Sequence, residues 1–234
     1  MTHGGLSGHW GLPGDLTAFG PFFGVEVHAT GETLPPPWQP MSTLVGDRGV
    51  LPQRVQAVRT ALAQRARSQP DDIEIRVAAS VTHLGLIARL LAPAIGAIIL
   101  GSGPISLSLD ELWWQNDLGG PYPLSVTPTP ATQGPAVGPA VEAVTVAIAD
   151  RYRISEHVLW GNVGSATNSA AGLISAVRPD LTGTAHAVAD SILADPRIED
   201  GAVRAGPHFR RRSCCLIYRV ANDRAAICGD CILE

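Results

Sequence analysis

The chain has 234 residues, is 45% hydrophobic and carries a formal net charge of −4. That length holds one large domain or two small ones, and the apolar content is enough for a core, which argues against a disordered chain. All 17 basic residues are arginine and they are outnumbered by 21 acids, so the electrostatic footprint of a nucleic-acid binder is missing.

Residues 1 to about 50 are rich in glycine and proline and include Pro35-Pro36-Pro37-Trp38. They read as irregular chain wrapped on the body, with a short strand at Gly24–Ala29 and Trp38 packed. Met1–Leu16 has neither the basic nor the apolar region of a secretory signal, so the expected location is the cytoplasm.

An amphipathic helix is expected from Leu51 to Gln69, with Pro52 in its first turn and Val55, Val58 and Leu62 at helical spacing. A second helix is expected from Ile73 to about Leu91, and Pro93 should open a short third one ending near Ile99. The run Val77–Leu100 is apolar enough to suggest a membrane span, but His83, Arg89 and Pro93 within it favour a buried helix, so no transmembrane segment is expected.

The period then changes. Ile105, Leu107 and Leu109 alternate with Ser106 and Ser108, which predicts a strand. Trp113-Trp114 and Gly119-Gly120-Pro121-Tyr122 follow, two tryptophans and a tyrosine near a turn that are candidates to line a pocket, at least one tryptophan being core. Thr127–Gly138 reads as a connecting loop.

Helices are expected at Pro139–Arg153, with Val141, Val144, Ile148 and Tyr152 on one stripe, and from an N-cap at Ser155 to about Val177. The second contains Trp160-Gly161-Asn162-Val163 followed by Gly164, Ser165, Ala166 and Ala170, small residues that let another backbone approach closely. Thr184–Leu193 should form a last helix.

All four cysteines lie in the last twenty-one residues, as Cys214, Cys215, Cys228 and Cys231, spaced C-C-x12-C-x2-C. Such thiols form one site or two disulfides, and two close pairs with none elsewhere argue for a metal. Four thiolates suit a tetrahedral zinc, and equally an iron–sulfur cluster. Leu216–Val220 and Ala225–Ile227, joined by Asn222-Asp223, read as a β-hairpin that sets Cys214 opposite Cys231. No G-x-G-x-x-G with its acidic partner, Walker A, H-E-x-x-H or G-x-S-x-G motif occurs, so no nicotinamide or flavin site is expected.

The stretch Phe209-Arg210-Arg211-Arg212-Ser213-Cys214-Cys215-Leu216-Ile217-Tyr218-Arg219, followed by Cys228-Gly229-Asp230-Cys231, resembles the C-terminal cluster segment of the FhuF-type ferric-siderophore reductases. Ser80 to His83, Trp113-Trp114 with Gly119-Gly120-Pro121, and Trp160 to Val163 resemble further blocks of that family. Its motif is C-C-x10-C-x2-C, so the spacer here is two residues longer. In a hairpin an insertion of two leaves every side chain on its original face.

The resemblance implies a [2Fe–2S] cluster held by Cys214, Cys215, Cys228 and Cys231. It implies one-electron reduction of a ferric siderophore, of the hydroxamate type, in the cytoplasm, with electrons from a separate ferredoxin or flavoprotein. His83, Trp113, Trp114, Asn162, Arg210, Arg211 and Arg212 are candidates to touch the substrate or tune the cluster. Cations beside an anionic cluster favour its reduced state and attract an acidic electron carrier. His208 is not expected as a Rieske-type ligand, because four cysteines are present.

Two other classes remain: a structural zinc knuckle, and a protein that binds the chelate without reducing it. The expected fold is α+β, predominantly helical with a small antiparallel sheet and a C-terminal cysteine hairpin. It divides into a helical body at 1–206 and a cluster-binding segment at 207–234.

Overall fold

The structure is a computed structural model and describes residues 16–129, 136–220 and 230. Its helices are α1 (Thr43–Gly46), α2 (Val50–Ala66), α3 (Ile75–Ile99), α4 (Pro139–Tyr152), α5 (Glu156–Val177) and α6 (Thr182–Leu193). Its strands are β1 (Glu26–Val27), β2 (Gln39–Pro40), β3 (Trp113–Trp114) and β4 (Leu124–Val126). This is the α+β, mostly helical fold expected from the sequence.

Helix α3 is the axis of the molecule and packs against α2, α4, α5 and α6. It is apolar on almost every side, as a helix surrounded by others must be. By length and composition it could cross a membrane, but 78% of its most apolar window is buried inside the protein. The expected break at Pro93 does not occur: α3 runs unbroken through it to Ile99. Proline inside a helix costs about 3 kcal/mol. Burial of Leu90, Leu91, Ile95 and Ile99 around it offsets that cost.

Arg89, in the same apolar stretch, is buried, and among the described residues no carboxylate pairs with it. Its Nε donates to Tyr122 O at 2.9 Å, Nη1 to Phe22 O at 2.9 Å and Nη2 to Gly24 O at 2.5 Å. Three backbone carbonyls from two distant segments thus hold one guanidinium, which ties the N-terminal chain and the 119–122 turn to α3. Gly96 completes this seam, since a Cβ there would lie 2.6 Å from Leu16.

The sheet order is β1-β4-β3-β2. It is mixed rather than purely antiparallel: β3 pairs antiparallel with both β2 and β4, while β1 runs parallel to β4. The strand expected at Gly24–Ala29 is therefore present, shortened to Glu26–Val27. The strand expected at Ile105–Leu109 is not formed; only an isolated bridge joins Ile105 to Pro128. Ser106 is buried along with Ile105 and Leu107, so the alternation in sequence does not correspond to two faces.

Helix α4 buries Val141, Val144 and Ile148, the expected stripe. Helix α5 buries Leu159, Val163, Ala166, Ala170 and Ile174 against its neighbours. A second stripe of α5 is left for the chain that follows α6.

Candidate metal centre

That second stripe receives residues 198–215. A Cβ on Gly161 would lie 2.0 Å from Ser213 Oγ, 3.0 Å from Glu199 Oε1 and 3.1 Å from Arg211 Nη2. A Cβ on Gly164 would lie 3.0 Å from Ile198 and 3.4 Å from Phe209. The small residues of α5 are therefore a seat for the segment that leads into the cysteines. Phe209 is 3% exposed and belongs to the main core.

Arg211 enters this seat and is buried. Its Nη1 donates to Asn162 Oδ1 at 2.9 Å, and its Nη2 to Val158 O at 3.3 Å and Ser213 Oγ at 3.4 Å. Ser213 passes its own proton to Glu199 Oε1 at 3.1 Å. The buried cation and the buried carboxylate are thus joined through one hydroxyl. Glu199 Oε2 has no hydrogen bond among the described residues and lies 3.9 Å from His157 Nε2. Arg211 Nε likewise has no acceptor among them.

Behind Arg211 the network continues into α3. Asn162 Nδ2 donates to Ser80 O at 3.1 Å and approaches His83 Nδ1 at 3.4 Å. Thr145 gives its proton to Val141 O at 2.7 Å, so it accepts from His83 Nε2 at 3.0 Å. This fixes the tautomer, with the proton on Nε2 and Nδ1 as acceptor. Burial, helped by the Arg211 cation, pushes the His83 pKa down to about 3, so the ring is neutral. His83 is a hydrogen-bonded core histidine that reaches Arg211 only through Asn162.

The three arginines predicted as a set separate here. Arg211 is the buried one. Arg210 is exposed and donates to Pro207 O and Phe209 O. Arg212 is exposed and meets Asp200 at 3.5 Å. The tryptophans also separate. Trp114 is fully buried, edge-on to Tyr122, with Nε1 donating to Thr43 Oγ1 at 3.3 Å. Trp113 is half-buried in β3. Both lie in the sheet, away from the cysteine segment.

Cys214 is half-buried and Cys215 buried. The Leu216 N–H donates to Cys214 Sγ at 3.4 Å. Leu216 takes a left-handed conformation, with φ 70°, and Ile217–Arg219 form one 3-10 turn. The strand expected at Leu216–Val220 is thus a tight turn. A reversal directly after two adjacent cysteines directs a backbone donor at the first sulfur, which an extended strand would not do. Arg219 then pairs with Glu74 at 3.0 Å, beside the start of α3.

Cys228, Cys231 and the second arm of the expected hairpin lie outside the described residues. Asp230 is described. Its backbone carbonyl accepts from the Arg211 N–H at 3.0 Å, and its carboxylate accepts from the Ser165 hydroxyl. The neighbour of Cys231 is therefore held beside the residue three positions before Cys214. Arg211 and Asp230 are thus joined across the chain that carries Cys214 and Cys215. Thiolates with a backbone N–H donor to sulfur suit an iron–sulfur cluster. Among the described residues no three histidine, cysteine or acidic side chains converge on a metal position.

Sequence reasoning selected Asn162, His83 and Arg211 but not the partners that unite them. Glu199 carries no periodicity or motif, Ser213 and Asp230 stand in the cysteine block and Ser165 among the small residues of α5 without any sign of their partners, and only the docking of the chain onto α5 brings them together. No curated protein and no solved structure matches the chain. Residues 211–231 match the family model of the FhuF 2Fe-2S C-terminal domain, in agreement with the resemblance carried by the cysteine block. The match supports an iron–sulfur role for this segment.

Proposed function

We propose that the protein is a cytoplasmic ferric-siderophore reductase whose Cys214, Cys215, Cys228 and Cys231 hold a [2Fe–2S] cluster. The observation that carries this reading is the 2Fe–2S family match over residues 211–231, which contains all four cysteines on a stretch whose ends the fold joins. When bound, such a cluster supplies one electron at a time. Chelated Fe(III) gains that electron and becomes Fe(II); no bond within the chelator breaks. Hard oxygen donors of the hydroxamate class hold Fe(II) far less tightly, so iron is released. The electron comes from a separate one-electron donor of the ferredoxin or flavoprotein class.

The protein's own residues have defined parts in this scheme. The Leu216 N–H stabilises negative charge on Cys214 Sγ. Arg211 places a buried positive charge close to the cysteines, and Asn162 and Ser213 hold it there. Both favour an additional electron nearby. Arg210 and Arg212 give the surface beside the cysteines a basic character suited to an acidic donor protein.

The test is anaerobic purification followed by absorption and electron paramagnetic resonance spectra. Ferric trihydroxamates are then added to the dithionite-reduced protein. A [2Fe–2S] spectrum that each chelate reoxidises is expected, and Cys228→Ser should remove colour and activity together. A colourless protein with one zinc, or a reduced cluster that ferric chelates leave reduced, would overturn the reading.

A further inference from the structure

A cavity of about 740 Å³ lies between α2 and α3, on the side of α3 away from Asn162. That volume is typical of a site for a small organic molecule. Val58, Ala61, Val81, Leu86 and Tyr122 give it apolar walls, the Leu118-Gly119-Gly120-Pro121 turn also lines it, and the exposed Arg65 adds a cation to that of Arg54. Neither tryptophan lines it.

Two features single out this cavity. The first is Gly85. Glycine is the least favourable residue inside a helix after proline. Gly96, Gly161 and Gly164 each have a neighbour that a Cβ would crowd, so packing explains them. Gly85, like Gly172 and Gly183, has none, but of these three only Gly85 lines the cavity. Its small size serves open space.

The second is Arg54. It is 7% exposed and lines the cavity, with its guanidinium 5.0 Å from the Tyr122 ring centre and 5.4 Å from that of Trp114. Both of its hydrogen bonds leave from Nη1, to Asn116 Oδ1 at 2.9 Å and Asp117 O at 3.0 Å. Among the described residues no carboxylate lies within ion-pair distance of it. A buried guanidinium held by aromatic faces, with donors left over, suits ligand oxygens and repels a cationic ligand.

The cavity is also well placed. Ser80 and His83 look toward Asn162, while Val81 and Gly85, roughly half a turn away, face the cavity. One helix, about 10–12 Å across, separates the cavity from the network that anchors the cysteine segment.

Resting on the reductase reading, we propose that this cavity seats the ferric chelate against the open wall at Gly85, and that Arg54, with Arg65, selects neutral or anionic chelates over cationic ones. The probe is a linear trihydroxamate loaded with redox-inert Ga(III), prepared with its terminal amine free (cationic) or acetylated (neutral). Binding is followed by tryptophan fluorescence on the intact protein. The acetylated form should bind at least tenfold more tightly. Gly85→Phe should weaken both forms more than tenfold, with the helical circular dichroism and the cluster spectrum unchanged. Gly85→Ala should bind as wild type does. Arg54→Met should reduce the preference between the two forms, and Arg54→Met combined with Arg65→Gln should erase it.

Wild-type affinity in Gly85→Phe would overturn the location, and if that variant still reduces ferric chelates the reductase reading stands alone. Gallium binding that Gly85→Phe abolishes, in a protein that reduces no chelate, would support the location and remove the reductase reading. Neither binding nor reduction would remove both.

Discussion

Arg211 Nη1 lies 2.9 Å from Asn162 Oδ1, a bond that ties the cysteine-bearing segment to the centre of the bundle. Asn162 has no redundancy. Its oxygen serves Arg211 while its nitrogen serves Ser80 and His83. Asn162→Leu keeps the volume but removes the acceptor of Arg211 Nη1, while Arg211 keeps its bonds to Val158 and Ser213. We expect a loss of about 1–3 kcal/mol in urea unfolding. A loss below about 1 kcal/mol would mean that water replaces the amide.

Gly161→Ala tests the seat itself. The added carbon would stand 2.0 Å from Ser213 Oγ, so the chain before Cys214 must move. Overpacking of this kind costs about 1–3 kcal/mol. The expected result is an intact far-ultraviolet spectrum with reduced iron and sulfide content per chain. Full iron content with unchanged stability would show that the segment adjusts freely.

The pH dependence follows from His83. Its folded pKa is depressed to about 3 from an ordinary value of 6.5. Below pH 6.5 the unfolded chain therefore binds a proton that the native protein refuses, and stability falls with acidification. Between pH 7 and pH 5 this one group should remove about 2 kcal/mol. His28 is pushed in the same direction by burial, between Ser125 and Thr127, and adds to the trend. Urea titrations of wild type and His83→Gln at the two pH values check this: the variant should lose less on acidification.

Arg211 and Glu199 form a buried pair mediated by Ser213. Removing one partner leaves the other charge uncompensated, which costs about 3–5 kcal/mol. Arg211→Met should therefore be much less stable than Arg211→Met combined with Glu199→Gln. Equal stability of the two would show that the charges do not communicate. If Arg211→Met alone holds its cluster, its midpoint potential should be more negative than that of wild type. Arg210→Gln and Arg212→Gln, both exposed, should shift it less.

Much of the helical frame was legible because helix periodicity is local. The stripe of α4, the ends of α5 and the buried character of α3 all follow from spacing alone. Pro93 misled because a local rule met a residue packed on all sides. The alternation at Ile105–Leu109 misled because serines can be buried as readily as solvated in a short loop. Leu216–Val220 has the composition of a strand, yet the left-handed backbone at Leu216 reflects demands of the cysteine loop that composition does not record. The cysteine motif itself was legible from spacing. The buried companions of Arg211 were not, since Glu199 and Asn162 are far apart in the chain and meet only on the surface of α5.

The bond from the Arg211 amide to the Asp230 carbonyl, with Ser165 gripping the Asp230 side chain, clasps the chain at two points that bracket most of the cysteine block. Once the stems are clasped, the length between them matters little: adding two residues changes the entropy of closing the ring by well under about 0.5 kcal/mol. A thirteenth or an eleventh residue between Cys215 and Cys228 should therefore close the ring at nearly the same entropic cost as a twelfth, while the clasp stays where it is.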